Sequence, residues 1–95
     1  MKSTELTNYG YHAFKTGDYN AAINFFSNIS SKSPSYWSGR MYLAMSYWHV
    51  GRITAAMQAF RELSEWCPDA ELRAKATFAL RELNSINGDF NRKKN

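Results

Sequence analysis

The chain repeats itself at an interval of 34 residues. Gly17, Ala21, Ala22, Phe26, Ser30 and Pro34 return as Gly51, Ala55, Ala56, Phe60, Ser64 and Pro68. Residues between these anchors keep their character: Tyr9 pairs with Leu43, Gly10 with Ala44, Phe14 with Trp48, Ile23 with Met57 and Ile29 with Leu63. A fixed period of this length marks stacked helical hairpins, because one such unit cannot bury its apolar face alone. The constraint selects an all-α architecture. Arrays of this kind present extended surfaces to other chains.

The punctuation between the repeats sets the helices. The first is expected over Thr4 to Thr16, with Leu6, Tyr9, Gly10, Ala13 and Phe14 on one stripe. Gly17 closes it, since glycine accepts the left-handed conformation of a helix end. Asp18 is placed to cap the second helix, which should run to about Ser31 with Tyr19, Ala22, Ile23, Phe26 and Ile29 inward. Pro34 disfavours helical geometry at Ser33. Ser35 is placed to cap the third helix, Tyr36 to Val50, whose stripe is Arg40, Leu43, Ala44, Tyr47 and Trp48. Ile53, Ala56, Met57, Phe60 and Leu63 line the fourth, which Pro68 ends. Asp69 then caps a fifth helix to about Asn87, with Leu72, Ala76, Ala79, Leu80, Leu83 and Ile86 apolar and Gly88 as its stop.

Gly88-Asp89-Phe90 echoes Gly17-Asp18-Tyr19, but it follows Gly51 by 37 residues rather than 34. The organisation expected is one domain: a first hairpin over about 3–36, a second over about 37–70, a capping helix over about 70–87 and a basic tail over 88–95. Gly10 and Ala22, and then Ala44 and Ala56, are expected where the helices of each hairpin cross, because small side chains let backbones approach.

Composition matters in three places. A chain of 95 residues has a thin stability margin, and six tyrosines, six phenylalanines and three tryptophans supply bulk to offset it. Of twelve basic residues against eight acidic, three are Arg92, Lys93 and Lys94 in the tail, so the body is near neutral. That weakens the case for a nucleic-acid partner. The single cysteine, Cys67, has no partner for an internal disulfide and fits a reducing, cytoplasmic setting. Met1 is read as the start of the product. Met1 to Asn8 has no apolar signal region, and no run approaches the ~20 apolar residues of a membrane span. Asn28-Ile29-Ser30 matches a glycosylation sequon by chance.

Taken together, the order large–x–x–large–small, then glycine, then Ala-x-x-x-Phe, then proline resembles the tetratricopeptide repeat. The first unit carries it in Leu6, Tyr9, Gly10, Ala22, Phe26 and Pro34; the second in Leu43, Ala44, Tyr47, Gly51, Ala56, Phe60 and Pro68. The resemblance covers about Ser3 to Ala70. Arg40 departs from it, standing where a large apolar residue is preferred, with Trp37 one turn earlier available to fill the space. Ala13 stands in place of a tyrosine, and Ile29 and Leu63 in place of an alanine. The resemblance implies a right-handed α-solenoid of two hairpins plus a capping helix.

It also implies a concave groove lined by the first helix of each hairpin. Thr7, Asn8, Tyr11 and Lys15 would face it from the first unit, and Met41, Tyr42, Met45 and His49 from the second. Leu72, Lys75 and Ala79 would contribute from the closing helix. Tyrosine and methionine suit a peptide or helix with apolar anchors, although Met41 and Met45 at helical spacing fit a core equally well. The basic and amide clamp that holds chaperone tails in some relatives is replaced here by Thr7, Tyr11 and Tyr42. Phe25, beside Phe26, fits either packing against the inter-helix turn or an exposed contact patch.

Catalytic and metal constellations are not evident. His12 and His49 have no Cys, Asp or Glu at ligand spacing. No nucleophile–base pairing or phosphate-binding loop stands out, and no cofactor is indicated. The expected function is a non-catalytic adaptor or scaffold that binds a partner protein. The alternative is a self-association module, with nucleic-acid binding through the tail, Lys75 and Arg81 a distant third.

Overall fold

A computed structural model describes residues 2–94, with side chains described through residue 86. Five helices follow one another: α1 (Ser3–Lys15), α2 (Tyr19–Ser27), α3 (Tyr36–His49), α4 (Ile53–Trp66) and α5 (Ala70–Lys94). No strand occurs among the described residues.

The two hairpin turns are copies. Gly17 has φ +83° and Gly51 φ +81°, values only glycine adopts without strain. After each glycine the next N–H reaches back to a carbonyl in the last helical turn, Asp18 to Ala13 at 2.9 Å and Arg52 to Tyr47 at 2.9 Å. The glycine N–H bonds one residue later, to Phe14 at 3.2 Å and Trp48 at 3.0 Å. This paired closure satisfies carbonyls that would otherwise be orphaned.

The starts of the next helices differ. Asp18 accepts a bond from the Ala21 N–H at 3.2 Å. Arg52, with the same backbone angles, makes no side-chain cap, and its guanidinium lies 4.9 Å over the Tyr47 ring instead. Asp18→Ala is therefore expected to lower stability by about 1 kcal/mol in urea denaturation, whereas Arg52→Ala removes no cap. Ser35 occupies the N-cap position of α3, but its side chain caps nothing, contrary to expectation. Asp69 does cap α5, accepting from Glu71 and Leu72 at 2.9 and 3.3 Å. Arg73 holds the same corner by donating to the carbonyls of Cys67 and Pro68.

Two helix ends depart from the sequence reading. The second helix stops at Ser27, four residues short of Ser31. Ser27 Oγ and Asn28 Nδ2 both donate to the Asn24 carbonyl, and such local bonds compete with a continuing helix. The fifth helix runs through Gly88 to Lys94. Interior glycine costs only about 1 kcal/mol relative to alanine, and no proline follows it to force a break.

The core has two chambers. Ala13, Ala22, Phe26, Ile29 and Leu43 form the first, between α1, α2 and α3. Met41, Ala44, Ala56, Ala59, Phe60, Leu63, Cys67, Ala76 and Leu83 form the second, between α3, α4 and α5. The expected small residues are fully buried at Ala22, Ala44 and Ala56. Three residues assigned to inward stripes are exposed instead: Tyr9, Trp48 and Ile86. No described helix covers Tyr9 as α2 covers Leu43, Trp48 opens onto a cleft of α3, and Ile86 lies on a face of α5 that no described helix covers.

Candidate functional site

Each helix packs on its neighbours in sequence, and in addition α1 touches α3 and α3 touches α5. No such contact joins α2 to α4 among the described residues. The odd helices thus form a close inner layer and the even helices a splayed outer one, which curves the stack toward α1, α3 and α5.

Eight of the eleven groove positions lie on α1 and α3, and the two helices treat them unequally. Tyr11 and Tyr42 meet edge to face at 4.7 Å, and Tyr42 also packs against Phe14 and Phe26 at 5.1 and 5.7 Å. Both tyrosines are half-buried and belong to the wall of the first chamber. Thr7 is buried and donates to the Ser3 carbonyl at 2.8 Å. Met41 is buried in the second chamber. Asn8 and Lys15 stand exposed on α1. Lys75 is exposed on α5 and pairs with Glu71 at 3.3 Å. Leu72 and Ala79 are half-buried against the second chamber.

Met45 and His49 come together, and Trp48 joins them. These three line a cleft of about 410 Å³. His49 lies flat on Tyr19 at 4.2 Å, 4° from parallel, with Phe14 edge-on at 5.8 Å, so the first residue of α2 fixes its ring. Trp48 meets Phe60 edge-on at 6.4 Å and remains 39% exposed.

The contribution of α5 escapes a 34-residue reading. Moving forward by the 37-residue offset carries Gly39 and Leu43, which face the first chamber, to Ala76 and Leu80, which face the second. The same step carries Met41, Met45 and His49 to Phe78, Glu82 and Ile86. Phe78 is 65% exposed and Ile86 59%. The inner layer therefore continues onto α5 with two unburied apolar side chains. The offset between the glycines was the available signal, and applying it to the helix faces finds them.

On the outer side, Arg40 occupies the place of a large apolar residue. Its guanidinium pairs with Glu62 at 3.1 Å and lies 5.5 Å from the Tyr36 ring, while the Tyr36 hydroxyl donates to Glu62 at 3.0 Å. Burial raises the Tyr36 phenol above its ordinary range; Arg40 opposes this and the Glu62 bond adds to it. This triad ties the start of α3 to the end of α4. Trp37, expected to fill the space, packs against the second chamber. Phe25 stacks on Tyr9 at 5.6 Å, so it packs on α1 and not on the turn.

A family model of the tetratricopeptide repeat matches residues 13–77. The chain belongs to the tetratricopeptide repeat family. Repeats of this family generally mediate protein–protein interaction and are typically non-catalytic. Comparison with curated proteins and with solved structures returned no match. The tetratricopeptide match spans both hairpin turns and the beginning of α5, the region in which the two chambers are built. Among the described residues no cluster of three or more His, Cys, Asp or Glu is placed to hold a metal ion. No helix there is long and apolar enough to cross a membrane. The side chains of Arg92, Lys93 and Lys94, the basis for a nucleic-acid reading, lie outside the described residues.

Proposed function

We propose that this protein is a non-catalytic adaptor that holds a peptide or helix of a partner protein along the inner layer of α1, α3 and α5. The observation carrying this reading is the row of accessible apolar side chains on that layer: Met45 and Trp48 around the cleft on α3, then Phe78 and Ile86 on α5. A scattered exposed apolar residue needs no explanation, but a row in one helical phase marks a contact surface. Aromatic and methionine side chains are the types enriched in such contacts. Exposed Asn8 and Lys15 supply a polar flank on α1, and His49 adds a fixed donor or acceptor.

The test must spare the fold. Tyr42 is tied into three ring contacts, so its truncation would confuse stability with binding. Phe78→Ser and Ile86→Ser act on mostly exposed side chains, and each should change stability by no more than about 0.5 kcal/mol. Peptides selected from a random library against the wild type are expected to lose tenfold or more in affinity for the double variant. Their amide shift perturbations should fall on α3 and α5. Equal affinity for both proteins, or perturbations confined to α2 and α4, would refute the reading.

A further inference from the structure

Two clefts in this molecule are the same cleft, one repeat apart. The cleft of the second hairpin includes Arg40, Gln58, Ala59 and Glu62, with Ser27 of α2 on its rim. The cleft of the first hairpin is lined by Leu6, Asn24, Phe25 and Asn28, each 34 residues before its counterpart. Their contents differ. In the second, an ion pair between Arg40 and Glu62 spans the opening, and α2 supplies a wall. In the first, Leu6 and Asn28 replace that pair, and no described element stands where α2 stands for α3.

The flanking positions follow the same contrast. Leu43 is 1% exposed beneath α2, but its counterpart Tyr9 is 52% exposed. Ala59 is buried, but its counterpart is Phe25, whose ring stacks on Tyr9. The uncovered edge therefore carries larger apolar groups and fewer charges than its covered equivalent. The cleft is also the larger of the two, about 390 Å³ against 190 Å³.

The geometry points to a second copy of this chain as the occupant, joined edge to edge about a twofold axis. Such an axis brings the residues nearest to it close to their own mates, which like charges oppose and neutral groups permit. Every residue lining the cleft is uncharged. Asn24 and Asn28 carry amides that both donate and accept, so each can bond to the same residue of the other copy. Tyr9, Phe25 and Leu6 supply the apolar centre, with the aromatic enrichment of protein interfaces. The patch is small, so association should be weak and concentration-dependent.

Sedimentation velocity across a concentration series is expected to show a monomer–dimer equilibrium. Asn24 is exposed, so Asn24→Lys and Asn24→Asp should keep the wild-type helical signal and melting temperature. Each alone should abolish the dimer by placing like charges on the axis, and an equimolar mixture of the two should re-form it. Tyr9→Lys, at a second exposed position, should also give a monomer. A wild type that stays monomeric at every concentration would overturn the proposal, as would a dimer indifferent to these substitutions or a mixture that fails to associate. A monomer that captures a different protein on this edge would overturn it too.

Discussion

Phe26→Ala is expected to be the most damaging single truncation in the chain, costing about 3–5 kcal/mol. The side chain is 1% exposed, and its ring contacts cross three helices. It meets Tyr11 of α1 at 5.8 Å and stacks on Tyr42 of α3 at 5.7 Å. Removing it would open a void between the hairpins, which the rigid rings around it could not collapse to fill. A domain of this size has only about 5–15 kcal/mol in total, so the variant should approach the unfolding threshold at room temperature. Urea denaturation followed by circular dichroism measures this directly. A loss below about 1 kcal/mol would mean that Phe26 does not join the hairpins as described.

A paired test at two glycines separates steric need from backbone preference. A Cβ built on Gly10 would lie 2.7 Å from two carbons of the Phe26 ring. That ring is buried and cannot move away cheaply, so Gly10→Ala is expected to cost about 1–3 kcal/mol through overpacking, despite alanine's better helix propensity. A Cβ on Gly39 would lie 2.8 Å from Ile29 Cδ1, the tip of a side chain that can rotate. There the propensity gain of about 1 kcal/mol should roughly cancel the repacking, leaving Gly39→Ala close to wild type. Thermal melts of the two variants side by side decide it. Equal destabilisation at both positions would show that Ile29 cannot yield, and no loss at Gly10 would show that the Phe26 ring can.

Much of this architecture was legible in the sequence because punctuation and period agree. Gly17 and Gly51 mark both hairpin turns, Asp18 and Asp69 cap where acidic residues stand before apolar runs, and Pro68 ends α4. The small residues Ala22, Ala44 and Ala56 were identified as buried from repeat phase alone. What failed did so for identifiable reasons. The end of α2 depends on side-chain bonds from Ser27 and Asn28 to one carbonyl, a competition that residue type hints at but does not resolve. Tyr9 matches Leu43 in phase, yet it is exposed because no described helix covers it as α2 covers Leu43; periodicity does not report cover.

The groove was less legible than the fold. Family phase brought Met45 and His49 to the cleft but also included Thr7 and Met41, which are buried. A 34-residue phase misses Phe78 and places Ile86 in the core, because both follow the 37-residue offset of the last helix. That offset is visible in the spacing from Gly51 to Gly88. Binding to a partner leaves weaker marks on a sequence than packing does, since an exposed position tolerates many residue types.

Leu43 of α3 closes the first chamber while Met41 and Ala44 of the same helix close the second. Neither hairpin owns a complete interior. Cutting the chain between repeats, or grafting one repeat elsewhere, would strip a wall from both halves at once. The molecule should melt in a single step, like an arch resting on a shared central pier, and not as two beads that come apart in turn.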